Sequence, residues 1–129
     1  MADRPHTKPT DAEIAILQFL WQNGPSTVRQ VQDTLHGQRG TGYTTTLKLM
    51  QIMFEKQLLK RDESQRSHVY SPAISQTRTQ DDLLHRLVDQ VFAGSAHQLV
   101  LRALSSGAAT AEELAELRQM LDRLEGEQS

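Results

Sequence analysis

Apolar residues recur at helical spacing through most of the chain, and the breaks between successive sets fall at glycine, proline and hydroxyl-bearing residues. Ile14, Leu17, Phe19, Leu20 and Trp21 make the first set. Thr10-x-x-Glu13 precedes it, a capping box in which the hydroxyl accepts an orphan backbone N–H and the glutamate reaches back to the cap. A helix is therefore predicted to begin there and to end at Gly24-Pro25, with Trp21 in the core. Ser26 or Thr27 caps a second helix carrying Val28, Val31 and Leu35, and Gly37 to Gly42, with three glycines in six residues, breaks it. Residues 1 to 9, with Pro5 and Pro9, show no periodicity and read as a loose arm.

The third helix is predicted to start near Tyr43. At about 100° per residue, Tyr43, Leu47, Met50 and Phe54 share a side that reads as core, while Thr45, Lys48, Leu49, Ile52 and Lys56 point away. An outer face of hydroxyls, a lysine and two aliphatics, with no carboxylate before Glu55, suits a DNA major groove better than water alone. Hydroxyls there meet phosphates or bases, lysine meets phosphate or guanine, and an aliphatic rests on a thymine methyl. Leu58 to Glu63 and Ser67 to Ser71 then have strand character around a polar turn, Ser64-Gln65-Arg66, and Pro72 stops the second strand. Three helices followed by a hairpin make a winged helix-turn-helix, with Lys60, Arg61 and Arg66 on the wing as backbone-positioning charges.

The back half is helical in pattern throughout. Leu83, Leu84, Leu87, Val88, Val91 and Phe92 form a dense stripe from about Thr79, interrupted at Gly94. Ala96, Leu99, Val100, Ala103 and Leu104 form a second, and Thr110-x-x-Glu113 opens a third carrying Leu114, Leu117, Met120, Leu121 and Leu124. Three short helices do not bury that much aliphatic surface on themselves, so a second copy of the chain is the expected partner. Leu84, Leu87, Val88, Val91, Phe92, Leu117, Leu121 and Leu124 are the expected dimerisation residues. A two-fold dimer places two recognition helices to meet half-sites one turn of DNA apart, or a multiple of it. The fold class is thus mainly α with a small β-wing: a winged helix-turn-helix over residues 1–75 that binds DNA, then a helical dimerisation domain over residues 76–129.

Charge sharpens this division. The 129 residues carry a net charge of −2, but residues 1 to 73 balance at +2 and residues 74 to 129 at −4. A mildly basic head with an acidic tail fits a DNA-binding unit joined to a protein-facing one. There is no cysteine, which excludes disulfides and thiolate metal sites and agrees with a cytoplasmic setting, as does the lack of an apolar run of membrane-spanning length. His6, His36, His68, His85 and His97 include no pair at i, i+4; His85 and His97 are the two that could approach each other between tail helices, and no metal site or cofactor is expected. Asp81-Asp82 and Glu112-Glu113 lie at helix starts, where negative charge favours the macrodipole. No nucleophile elbow or phosphate-binding loop appears, so an enzyme is not expected.

Several of these stretches occur in an ordered series: Leu20-Trp21, Gly24-Pro25-Ser26-Thr27-Val28, Gly42-Tyr43-Thr44-Thr45, Glu55-Lys56, Val69-Tyr70-Ser71-Pro72, Val91-Phe92-Ala93-Gly94-Ser95 and Glu113-Leu114-Ala115-Glu116-Leu117. From about residue 10 to 125 the chain resembles the penicillinase-repressor family of winged-helix transcriptional regulators, the BlaI/MecI/CopY type. The resemblance implies a homodimeric repressor on double-stranded palindromic operator DNA, derepressed when a membrane metallopeptidase sensor brings about proteolysis of the C-terminal helices. It implies DNA contacts by Thr44, Thr45, Thr46 and Lys48, and by Arg61, Arg66 and His68 at the wing, to which Ile52 is added from its outward phase. The chain departs from the family's pattern in three places. Arg102-Ala103 stands where the best-known members carry the cleaved Asn-Phe bond, the cysteine set of the copper-responsive branch is missing, and Met53 stands where some members have an arginine that meets phosphate. The alternative is a winged-helix adaptor that docks a protein through its acidic tail and binds no DNA.

Overall fold

The structure, a computed structural model, describes residues 8–128. Most of the arm expected over residues 1 to 9, and His6 with it, lie outside the described residues. Six helices and three short strands follow one another as α1 (Asp11–Asn23), β1 (Ser26–Thr27), α2 (Val28–Arg39), α3 (Tyr43–Glu55), β2 (Leu59–Asp62), β3 (Val69–Pro72), α4 (Gln76–Val91), α5 (Ala96–Ser105) and α6 (Ala111–Gln128). The chain divides into two compact units, Met1–Leu83 and Leu84–Ser129.

In the first unit the helix starts are set by local chemistry. The Thr10 hydroxyl accepts from Glu13 N–H at 3.2 Å while Glu13 Oε1 accepts from Thr10 N–H at 3.0 Å. Thr27 and Gln30 make the same reciprocal pair at the start of α2. That helix runs two residues beyond Gly37, contrary to the break expected there, and ends only at Gly40, whose φ of 68° is the left-handed value that favours glycine. Strand β1 is a two-residue element that hydrophobic pattern does not reveal, and it makes β3 the centre of an antiparallel sheet ordered β1-β3-β2. Ser26 faces Tyr70 and Thr27 faces Val69, while Leu59 faces Pro72 across the hairpin. The strands are shorter than the sequence suggested, so the hairpin connection spans residues 63–68 rather than three residues; Asp62 Oδ1 accepts from Ser64 N–H at 2.9 Å as it begins.

The core of this unit takes Ile16, Leu17 and Leu20 from α1, Val28, Val31 and Leu35 from α2, Met50 and Met53 from α3, Leu59 from β2 and Tyr70 from β3. Trp21 packs against it, half-buried, and its Nε1–H donates to Ile74 O at 3.2 Å. Glu13 is a buried carboxylate at the edge of the core. Its second oxygen accepts from Lys56 Nζ at 2.8 Å, joining the first turn of α1 to the end of α3. Burial alone pushes the Glu13 carboxyl up, but the Lys56 ammonium and the Thr10 N–H and hydroxyl more than reverse this and hold it below the usual carboxylate value. Lys56, expected to point outward from α3, is thus turned onto the protein.

After Lys56, Gln57 takes a left-handed φ of 68°, with Gln57 N–H donating to Phe54 O and Leu58 N–H to Met53 O. This is the double hydrogen-bond closure of a helix end that is most often built on glycine.

In the second unit the caps again work locally. Ser95 caps α5, and Thr110 with Glu113 caps α6 as expected. Helix α4 starts at Gln76, three residues before the expected Thr79, because Ser75 Oγ accepts from Arg78 N–H at 3.0 Å. Of the unit's apolar side chains only Val88 is buried among the described residues, which corrects its place on an open dimerisation face: its own chain already covers it. Phe92 and Leu117 are half-buried. Leu84, Leu87, Val91, Leu121 and Leu124 are exposed, Val91 at 65% and Leu121 at 59%, together with Val100, Leu101 and Met120.

Three outcomes are expected. Breaking the Glu13–Lys56 pair falls between the small effect of surface pairs and the large one of buried pairs, because Lys56 keeps 41% of its side chain in solvent. Lys56→Met should therefore lower stability by about 1–3 kcal/mol in urea denaturation. Since the folded Glu13 carboxyl is held low, its contribution is complete above the ordinary carboxylate range and is lost as pH falls through the lowered value. The stability difference between the wild type and Glu13→Gln should shrink over that same fall, and a difference that stayed constant would contradict the assignment. Gln57→Gly should raise stability by about 1 kcal/mol by relieving the left-handed backbone.

Candidate nucleic-acid interface

Helix α3 carries six apolar residues between Leu47 and Phe54, so its inner face is chosen by packing rather than by pattern. The choice falls on Thr46, Met50 and Met53, each fully buried. Thr46 was expected among the DNA-contacting hydroxyls. Its position corrects this, because the side chain lies inside the protein and its Oγ1–H donates to Gly42 O at 3.0 Å. Met53, noted above as a departure from the arginine of some family members, fills the core.

Turning that face inward aims the opposite one outward. Thr44, Thr45, Lys48, Gln51 and Glu55 are exposed along it. Gln51 was not singled out from the sequence, although its i+3 spacing from Lys48 puts it on the same face, and an amide there is suited to the N6/N7 edge of adenine. Ile52 and Leu49 are half-buried at the border of the face rather than at its centre. Tyr43, expected in the core, is 40% exposed at the first position of the helix, where its ring lies 4.9 Å from the Arg29 guanidinium of α2. Gly42, as the cap residue, offers no side chain, and no acidic residue occupies the first turn.

The wing distributes its charges unequally. Lys60, Arg66 and His68 are exposed. Arg61 is not free: it stacks on the Phe54 ring at 4.0 Å, its Nε–H donates to Glu63 Oε2 at 2.7 Å, and Nη2 lies 2.5 Å from the same oxygen. The Tyr70 oxygen and the Glu63 carboxylate both favour the charged guanidinium and raise its pKa. Arg61 therefore ties the wing to α3, which corrects the expectation that it reaches a phosphate. Asp62 is held below its usual pKa, chiefly by the Ser64 backbone N–H, so the wing's exposed face also keeps a carboxylate beside His68.

Among the described residues no group of three or more His, Asp or Glu side chains is placed to hold a metal ion, and no helix is long and apolar enough to cross a membrane. Within the second unit an open groove of about 580 Å³ lies between α5 and α6, lined by Ala103, Leu104, Leu117 and Met120 together with Glu113, Glu116 and Arg123.

The family model described as penicillinase repressor matches residues 9–123. The transcriptional regulator BlaI of Mycobacterium tuberculosis is 36% identical over 67 residues, 51% of this chain and 49% of that protein, in each of two strains. This chain thus spans about half the length of those curated relatives. The penicillinase repressor of Bacillus licheniformis is 24% identical over 114 residues, 88% of each chain. Among solved structures, the DNA binding domain of the repressor BlaI, determined in solution, matches with a TM-score of 0.50 at 21% identity, over 60% of this chain and 92% of that one. That likeness shows the winged-helix fold.

Proposed function

The chain belongs to the penicillinase repressor family, and from that premise we propose that it is a homodimeric transcriptional repressor of duplex operator DNA with two-fold symmetric half-sites. One observation carries the reading: α3 is pinned on one side by Thr46, Met50 and Met53 and offers Thr44, Thr45 and Lys48 together on the other. A 13-residue helix in the major groove brings those short hydroxyls to base edges and phosphates and lets Lys48 reach a phosphate or a guanine. Lys60, Arg66 and His68 then follow the backbone from the wing, and Ile52 borders the groove contact. The apolar faces of α4, α5 and α6 supply the dimer, through Leu84, Leu87, Val91, Leu121 and Leu124 with Phe92 and Leu117 at their edge.

The protein acts in the cytoplasm on this reading. Family membership supports release by proteolysis in the C-terminal helices, through a membrane metallopeptidase sensor. Cutting there removes part of the apolar surface that joins the copies, and each head is left with its single-site affinity.

Lys48→Ala should weaken binding to duplex DNA and make log K against log salt shallower by about 0.9 if the lysine meets one phosphate. Thr45→Ala should instead change which sequences emerge from selection on a random duplex pool. If neither quantity moves while the variants remain folded, α3 is not the reading helix. In sedimentation the full chain should be dimeric, and Leu121→Asp, or truncation after Ser106, should shift it to monomer and weaken binding to a two-half-site duplex while a single half-site is bound as before. A truncated chain that still dimerises would remove the basis for release by cutting.

A further inference from the structure

We infer that Arg29, at the start of α2, is a phosphate-binding residue of the DNA interface, held ready for the duplex backbone by the ring of Tyr43. The inference rests on the DNA-binding reading above and adds to it a residue on neither α3 nor the wing.

Among the described residues of the first unit two arginines stack on aromatic rings, and they differ in what their edges do. A guanidinium over a ring uses its face for the contact, while its five N–H donors point outward around its edge. Arg61 on Phe54 has that edge occupied by Glu63. Arg29 on Tyr43 has no carboxylate partner among the described residues, so its edge is open to a ligand. Both members of the second pair are exposed, and Tyr43 directly precedes Thr44 and Thr45 on the face assigned to DNA. Stacking restricts the rotamers of a long side chain in advance, so less conformational freedom is lost when a bidentate contact forms.

Electrostatics favours the same ligand. Arg29 lies in the first turn of a helix, where positive charge is disfavoured, and that turn carries no acidic residue; the first turns of α1 and α6 each carry two. An anion beside Arg29 relieves this. With Thr44 and Thr45 directly following its Tyr43 platform on α3 and Lys48 exposed further along that helix, the anion that fits is a phosphodiester of the strand flanking the groove in which α3 lies.

Because backbone contacts are independent of sequence, the test needs no operator. Binding of the full chain to a random-sequence duplex of about 30 base pairs is followed by fluorescence anisotropy over a series of salt concentrations, with circular dichroism to verify folding. Arg29→Ala should lower affinity about tenfold at 0.1 M salt and make the slope shallower by about 0.9. Arg29→Lys should keep the slope but bind more weakly than wild type, because an ammonium lacks the planar fork. Tyr43→Leu should likewise keep the slope and lose affinity, since the charge stays and its platform goes. Arg61→Ala should destabilise the fold and leave the slope at the wild-type value. Wild-type slope in Arg29→Ala, wild-type affinity in Tyr43→Leu, or a slope lost with Arg61 instead of Arg29 overturns the inference while leaving the DNA-binding reading standing. A wild-type chain that shows no binding even at low salt overturns both.

Discussion

The Glu13 carboxylate is the constraint on which the geometry of the first unit depends. One of its oxygens closes the start of α1 and the other holds Lys56, 43 positions later, at the end of the helix that faces outward. Two elements distant in sequence are thereby joined through one rigid group, and the wing leaves α3 immediately after Lys56. The left-handed turn at Gln57 then sets the direction in which β2 starts, and Arg61 stacks back on Phe54 of α3. Helix and wing are fixed to each other by charged and aromatic contacts at their junction as well as by the shared core. An interface that must meet a stiff, periodic backbone at two places needs that kind of rigidity more than it needs additional stability.

What the sequence disclosed follows from which interactions are local. The capping boxes at Thr10 and Thr110 are complete within four residues, so spacing alone revealed them. Ser75 was missed as a cap although its chemistry is equally local, because no glutamate stands three residues on. The inner face of α3 was less legible. With Leu47, Leu49, Met50, Ile52, Met53 and Phe54 all apolar, nearly every phase looks buried, and a threonine at the true centre does not resemble core. Thr46 can be buried because its hydroxyl donates a hydrogen bond to Gly42 O, a bond that becomes visible once the helix start is fixed. Lys56 and Arg61 read as solvent or phosphate contacts for a related reason. Their partners, Glu13 and Phe54, come from other elements, and charge pattern along a single element carries no trace of them. The order of motifs along the chain gave the family more readily than any one of those side-chain positions.

The two units solve opposite physical problems. The first buries ten large apolar side chains together and closes its polar edge with hydrogen bonds. The second arranges its leucines in stripes and buries only Val88 among its described apolar residues. Exposed apolar surface on that scale is disfavoured by several kcal/mol at about 25 cal/mol per Å², which is comparable to the whole stability of a small domain. On the dimeric reading proposed above, such helices reach their stable state by association, and folding of the tail and dimerisation become one equilibrium that depends on protein concentration. On that same reading, the protein can be inactivated in its tail while its DNA-reading unit stays intact.

Charge gives the proposed association its weight. Of the cations around α3 and the wing, Lys56 is held by Glu13 and Arg61 by Glu63, which leaves Arg29, Lys48, Lys60 and Arg66 without carboxylate partners among the described residues. A head that neutralises only a few phosphates releases few counterions and binds weakly at physiological salt. Adding lysines would strengthen it everywhere on DNA and so reduce discrimination between operator and bulk sequence. Joining two such heads instead makes the second contact intramolecular, at an effective concentration set by the spacing of the pair, and only sequences with two half-sites at that spacing gain from it. On the proposed reading, the unpaired cations of the head and the uncovered leucines of the tail are two parts of one solution, in which affinity is placed in the pairing and specificity in the geometry of the pair.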